Sequence, residues 1–264
     1  FERLGLEPPH TWDAFLAVCE TLKENGITPL SLCYKDTWIQ SLIPYALSVT
    51  TIYRENPDFD RQMAEGLRHF NGPEWQKTMQ MLKTLIDSGY VTENYLQTTY
   101  DQQLRAFANG GAAMMVMGSW AVSMIRSMAP SCRLGLFILP ASEDGDNWIP
   151  SSIGGMLAVS EQSRYKDTAI DFLNFFLTND EVYRQFLQDT GNMPVKTGFD
   201  AGCDPALEVL NGEITESYPF LDVGWPSGVQ AVFIKTMEEI STGADMTQAL
   251  AHLDQVWTEF YREG

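Results

Sequence analysis

The stretch FANGGAAMMVMGSW, from Phe107 to Trp120, carries three structural signals in a row. Leu104, Phe107 and Ala108 share a helical face at i, i+3, i+4 spacing. Asn109-Gly110-Gly111 then supplies the left-handed stop such a helix needs. Ala112 to Met117 is an unbroken apolar run of strand length, the pattern of a strand covered on both faces in a parallel sheet. Gly118-Ser119-Trp120 turns into a second helix bearing Val122, Met124 and Ile125. A helix, a buried strand and a tight turn in succession predict an α/β chain. The turn puts a glycine, a hydroxyl and an indole at the carboxyl end of a sheet strand, where open α/β sheets hold their ligands.

Trp120 has two readings at this stage. In one it is a large residue that starts a helix and packs into the core. In the other it offers a flat apolar face to a ligand, beside free backbone N–H groups and the Ser119 hydroxyl. Sugars suit the second arrangement, because their C–H faces stack on rings and their hydroxyls need short polar groups.

Composition narrows the field. The 264 residues permit one large domain or two, and 44% hydrophobic with 20% charged residues is ordinary globular usage. No run approaches the roughly 18–20 apolar residues of a membrane span. A net charge of −18 argues against nucleic acid and against an anionic membrane surface, both of which call for Lys and Arg. It is compatible with neutral ligands. The sequence shows no initiator Met, signal peptide or lipidation motif, and Phe1 leads straight into folded-looking sequence, so the start reads as a boundary. Cys19, Cys33, Cys132 and Cys203 are scattered without metal or CxxC spacing. The first two read as buried thiols. The other two fall in loops, where a disulfide between them has no support in the sequence.

Along the chain, Thr11 caps a helix striped by Trp12, Phe15, Leu16, Cys19 and Leu22. A strand is expected over Ile27 to Cys33, and an apolar helix with an early Pro44 over Trp38 to Thr51. A short helix follows from Arg61 to Phe70. Pro73 to Ser88 is an amphipathic helix with Trp75, Met79, Leu82 and Ile86 on one face. Further strands are expected at Arg133 to Leu139 and Ile153 to Ser160. Helices are expected from Tyr165 to Leu177, from Asn179 to Leu187, over Pro205 to Leu210, over Val229 to Ile240 and over Met246 to Tyr261. Strands are few, helices many, and internal repeats are lacking.

Catalytic chemistry is poorly represented. His10, His69 and His252 read as surface residues, and no HExxH, GxSxG, GxxxxGK or GxGxxG occurs. Glu143, Asp144 and Asp146 form an acidic loop without the ligand spacing of a calcium site, so a solvated turn is the expectation. Aromatic residues are what remain, with seven Trp, ten Tyr and fourteen Phe. Trp12, Trp75 and Trp257 lie on helical stripes and read as core. Trp38, Trp120 and Trp225 sit at loops or element starts, where a sugar cleft would need them; Trp148 lies in the acidic loop.

These stretches together resemble the extracellular solute-binding proteins of ABC importers, in the carbohydrate-binding group that includes maltose-binding protein. The likeness is carried by FERLGLEPPHTWDAFLAVCETLKENGITPL at the start and by FANGGAAMMVMGSW. LGLFILP, IGGMLAVS, AIDFLNFFLTNDEVYRQF and GNMPV follow in order. The resemblance implies a type II periplasmic-binding-protein-like α/β fold, with two lobes joined by crossover strands and a ligand held between them. It implies that the N-terminal portion is absent. Residues 1–152 and 200–264 would form most of the C-terminal lobe, and 153–199 the segment that crosses into the other lobe and returns. That segment would then expose apolar surface at Phe172, Phe175 and Phe176.

Residue by residue, Trp120 matches the family's stacking tryptophan, with Gly118 and Ser119 beside it. Gly154 and Gly155 match the crossover strand, and Asn192 to Pro194 the return loop. Trp225, with Asp222 nearby, matches a loop that contributes an aromatic wall. Trp38 is either a further aromatic contact or core packing. The expected function is that of a non-enzymatic, extracytoplasmic receptor that needs no metal or cofactor. It would bind a saccharide and deliver it to the transmembrane subunits of an ABC permease. It would be a cell-surface lipoprotein or a periplasmic protein, held to a membrane only through a lipid anchor not present in this chain. The competing readings are a receptor for a non-sugar solute and a carbohydrate-active enzyme. The latter would need paired carboxylates near Trp120.

Overall fold

The computed structural model describes residues 1–152, 154–207, 209–212 and 216–263. Ile153 and Glu208, expected at the start of a strand and within a helix, lie outside the described residues. In chain order the regular elements are α1 (Trp12–Glu24), β1 (Leu30–Ser31), α2 (Leu42–Ser48), α3 (Phe59–Ala64), α4 (Pro73–Asp87), α5 (Tyr100–Ala108), β2 (Met114–Met115) and α6 (Ala121–Met128). They continue with β3 (Ile149–Pro150), α7 (Lys166–Thr178), α8 (Asp180–Thr190), α9 (Val209–Gly212), β4 (Ser217–Tyr218), α10 (Val229–Ser241) and α11 (Met246–Glu263). The chain divides into two units: Phe1–Met117, Phe137–Ser151 and Ile214–Gly264 make the first, and Gly118–Leu136 with Ser152–Glu213 the second.

Local chemistry explains the helices of the first unit. The Thr11 side chain accepts a hydrogen bond from the Ala14 N–H at 3.2 Å, and α1 then buries Phe15, Val18, Cys19 and Leu22. At α4, Pro73 occupies the opening turn, where a missing N–H costs nothing, and Trp75, Met79, Leu82 and Leu85 go inward. Thr99 and Gln102 close a reciprocal capping box on α5. Pro44 sits in the first turn of α2 for the reason that admits Pro73, so the helix continues past it and ends in a π-turn over Val49–Tyr53.

The sheet is small. Leu30 and Ser31 pair in parallel with Met114 and Met115, and Leu30 bridges Val91. Ile149 and Pro150 pair in parallel with Ser217 and Tyr218. Around these, Tyr45, Phe70, Trp75, Trp225, Phe233 and Trp257 interlock with ring centroids 5.1 to 6.1 Å apart, mostly edge to face. Trp75, Phe70 and Phe233 are completely buried, and truncating any one to Ala would cost about 3–5 kcal/mol.

The second unit is mainly helical. Asn179 caps α8 by accepting the Val182 N–H at 3.1 Å, and Gly191, in the left-handed region at φ 66°, ends it. Tyr183, Leu187 and Ala201 form its small core, with Phe176 and Phe199 against them. Arg126 of α6 holds Asp204 through two hydrogen bonds of 2.6 and 3.2 Å. Helix α7 buries none of its residues; Phe172 is 59% and Phe175 52% exposed, and Phe176 is half-buried against α8. The exposure expected of this helix is therefore present at Phe172 and Phe175 and partial at Phe176.

Several expectations are corrected. The runs at 27–33 and 112–117 pair over two residues each, and 133–139 forms no strand. Gly154 to Ser160, which includes Gly154 and Gly155 of the expected crossover strand, has no regular structure and no ladder, and Met156 is 86% exposed. An apolar run becomes a strand only where a neighbour takes its N–H and C=O groups, and these runs have few such neighbours among the described residues. Residues 118–136 and 200–213 group with 152–199 rather than with 1–117, because α6 packs on α8 and Arg126 reaches Asp204. The short helix expected at 61–70 is α3, four residues shorter than thought and starting two earlier.

Candidate ligand-binding site

The second unit assembles five of the expected site residues around the turn at 118–120. The carbonyls of Gly118 and Ser119 accept the N–H groups of Ala121 and Val122, both at 3.1 Å, which closes the turn into α6. The Trp120 ring folds back over Gly118 so tightly that a Cβ there would lie 2.0 to 2.4 Å from three ring carbons. Only glycine leaves room for the indole in this position. On the other side, Gly191 comes up against the same turn. A Cβ on it would sit 3.0 Å from the Ser119 carbonyl oxygen and 3.2 Å from Trp120 Cα. The next residue, Asn192, donates to Thr190 Oγ1 at 3.0 Å, and its Oδ1 lies 3.5 Å from where a Gly154 Cβ would be. Gly118, Ser119, Trp120, Asn192 and Gly154 therefore share one neighbourhood, while Gly155 is exposed with open space beside it. Trp120 is half-buried, and it is the one tryptophan in this unit.

The remaining expected residues belong to the first unit. Trp38 is 40% exposed, and its ring meets Tyr100 edge-on at 5.4 Å. Its carbonyl accepts the Ser41 hydroxyl at 2.8 Å, which fixes the turn over Thr37–Ser41. Asp222 is half-buried and accepts a hydrogen bond from the exposed Gln230 side chain. Burial raises the Asp222 carboxyl above its ordinary range. Trp225 departs from expectation. It is only 7% exposed, its indole N–H donates to Asp60 Oδ2 at 2.9 Å, and Tyr45, Phe70, Phe233 and Trp257 occupy its surroundings. It is a core residue and not a wall of a cleft, because a loop position in sequence says nothing about which way the ring turns.

Asp60 was not singled out in the sequence, where it lies in a polar loop-like stretch. It accepts the Tyr53 hydroxyl at 2.6 Å as well as the Trp225 indole, and burial raises its carboxyl above the usual range. No spacing rule could have paired it with a residue 165 positions away. The acidic loop is likewise answered from a distance. Arg54 places Nη1 3.0 Å from Asp144 and 3.7 Å from Asp146, and Nη2 3.0 Å from Glu55. The Arg54 hydrogen bond is the main reason the Asp144 carboxyl is pulled down to about 2. The loop's charge is thus met by a guanidinium. Cys19 and Cys33 are buried and their thiols are pushed up to about 12, chiefly by desolvation; all four cysteines are free thiols. The three histidines are exposed.

Comparison with known proteins places this geometry in context. Residues 2–208 match the family model of the bacterial extracellular solute-binding proteins. The multiple sugar-binding protein of Streptococcus mutans is 28% identical over 205 residues, covering 74% of this chain and 47% of its own length. A chitin oligosaccharide binding protein of known structure superposes with a TM-score of 0.85 at 22% identity, over 100% of this chain and 67% of that one. A sugar transporter protein from Bacillus licheniformis, solved in complex with stachyose, superposes with a TM-score of 0.82 at 20% identity, over 98% of this chain and 68% of that one. These likenesses show a common fold. The chain spans about half the length of the curated relatives it matches.

Proposed function

The chain belongs to the bacterial extracellular solute-binding proteins, and from that premise we propose that it forms part of the substrate-binding component of an ABC sugar importer. The protein binds a saccharide and does not transform it. Hinge closure buries the sugar, and the closed form is the one the permease subunits recognise. The whole acts outside the cytoplasm, as a lipid-anchored surface protein or in a periplasm.

One observation supports the sugar reading above the rest. A half-buried indole lies over Gly118, where only glycine leaves room for it, with an amide side chain in the same neighbourhood. An aromatic face suits the C–H face of a sugar, and short polar groups beside it suit hydroxyls. In this reading Trp120 is the stacking wall and Ser119, Gly118, Asn192, Gly154 and Gly155 line its surroundings; within the first unit, Trp38 and Asp222 are read as ligand contacts. Trp225 has no ligand role. The exposed rings of Phe172 and Phe175 pack against the remainder of the lobe to which residues 153–199 belong.

The test is a fluorescence titration of the intact protein with stachyose, chitin oligosaccharides and monosaccharides, alongside Trp120→Ala. A saturable shift with one sugar, absent in the variant, is the expected result. A folded protein silent to every sugar would leave the family and remove the ligand class.

A further inference from the structure

Trp225 and its acceptor have a use that the ligand reading leaves out. Asp60 lies on α3 and holds two partners at once: Tyr53 Oη donates to Oδ1 at 2.6 Å and Trp225 Nε1 to Oδ2 at 2.9 Å. Trp225 closes the turn that begins at the buried Leu221, and the one residue between Leu221 and the exposed Val223 is Asp222. The chain just before that turn is gripped by the same group of residues. Tyr218 stacks on Tyr53 at 4.3 Å and 26°, and its hydroxyl donates to the Pro57 carbonyl at 3.0 Å.

We propose that Asp60 is the positioning residue for Asp222: by accepting the Trp225 indole N–H, it fixes the 221–225 turn in the orientation that presents the Asp222 carboxylate to a ligand. The proposal rests on the reading of Asp222 as a ligand contact. Val223 and Gly224 donate only to Phe220 and Leu221 within the turn, at 3.1 and 3.2 Å, so the turn's own hydrogen bonds are local. Its long-range polar ties run through Trp225 to Asp60 and from Asp222 to Gln230. Tyr53, by contrast, is a buried core residue whose hydroxyl reaches the other carboxylate oxygen. The two oxygens of one carboxylate thus serve different purposes, one toward the turn and one toward the core.

That division makes the proposal separable from a general contribution to stability. In the intact protein, Trp225→Phe removes the donor and leaves a smaller aromatic ring, Tyr53→Phe removes the other donor, and Asp60→Ala removes both acceptors. Asp60→Asn keeps an acceptor for the indole and turns its amide toward the Tyr53 oxygen. Two quantities are measured: amide exchange over residues 219–228 and the affinity for stachyose. Trp225→Phe and Asp60→Ala are expected to speed exchange in the turn at least tenfold and to weaken stachyose about tenfold. Their combination should be no worse than either alone. Tyr53→Phe and Asp60→Asn should stay within threefold of the parent in both readouts. Should Asp60→Ala fail to fold, where exchange rises in Trp225→Phe still decides the matter: a lost hydrogen bond speeds residues 219–228 alone, whereas the smaller ring loosens the helices around Phe70, Phe233 and Trp257 as well. Equal effects from Trp225→Phe and Tyr53→Phe, unchanged exchange in Trp225→Phe, or a rise spread over those helices would overturn the proposal. Faster exchange in Trp225→Phe, with no saccharide bound by the parent protein, would instead remove the ligand reading of Asp222.

Discussion

Replacing Gly118 by alanine isolates the position of the Trp120 ring from everything else in the second unit. Gly118 does not use the left-handed region, so its backbone accepts a Cβ without strain. Restricting the unfolded chain even favours the folded state by roughly 0.4–1 kcal/mol. The difficulty is steric and has one source. The new methyl would lie 2.0 Å from the nearest ring carbon, against about 3.5–4.0 Å for a comfortable carbon–carbon contact. The ring must therefore retreat by about 1.5 Å or swing to another rotamer. Because Trp120 is half-buried, it has solvent to move into, and the net change in stability should stay within about 1–2 kcal/mol.

Binding should respond more sharply. A sugar face that loses roughly 50 Å² of ring contact gives up about 1.3 kcal/mol at about 25 cal/mol/Å², close to a tenfold rise in Kd. Titration calorimetry of the intact protein with stachyose measures this, and thermal unfolding of the same samples measures the stability term. Gly118→Ala is expected to bind about tenfold more weakly with a melting temperature shifted by only a few degrees, and Trp120→Ala more weakly still. Unchanged affinity in Gly118→Ala, with Trp120→Ala clearly impaired, would refute the claim that the ring binds from its position over Gly118. Unchanged affinity in both would refute the stacking role itself.

Other consequences can be checked independently. Gly191→Ala places a side chain in the left-handed region and 3.0 Å from the Ser119 carbonyl, so it should cost about 1–2 kcal/mol from the backbone alone and disturb Trp120, as seen in calorimetric melting and near-ultraviolet dichroism. The Asp144 carboxyl, depressed to about 2 mainly by Arg54, lies below the roughly 3.9 of an unfolded aspartate. Its support for the 143–146 loop is therefore complete above about pH 5 and lost as pH falls from 4 through 2. An NMR titration of that carboxyl should show the low midpoint, and Arg54→Met should raise it part of the way, since the Asp146 N–H still donates to it. Iodoacetamide at pH 8 should leave Cys19 and Cys33 unmodified in the folded protein and label them on unfolding, since both are buried and held protonated; mass spectrometry of the labelled peptides reads this directly.

Helices were legible in the sequence because their signals are local. Thr11 and Asn179 cap the helices they open, and the stripes of α1 and α4 bury Phe15, Cys19, Leu22, Trp75, Met79 and Leu82, with Trp12, Leu16 and Ile86 half-buried. Strands were not legible to the same degree. The runs at 27–33 and 112–117 carry the right composition, yet a ladder depends on a partner elsewhere in the chain, so only Leu30–Ser31 and Met114–Met115 pair. Among tryptophans, sequence context separated Trp75 and Trp257 as core but misplaced Trp225, whose burial depends on Asp60 and Phe70 across the fold. The neighbourhood of Trp120 with Asn192 and Gly154 followed from the family resemblance. The glycine contacts that hold the ring became visible only in three dimensions.

Trp120 stands alone in residues 118–136 and 152–213, while the other six tryptophans all fall in the first unit. Uniform labelling with fluorinated tryptophan would therefore give one ¹⁹F resonance for the second unit against six for the first. No engineered probe is needed to ask whether the two melt together. If that single line collapses at a lower denaturant concentration than the others, the protein carries two cooperative blocks, and a single midpoint would describe neither. The same line, followed under native conditions, separates events at the candidate sugar wall from the background of the buried indoles.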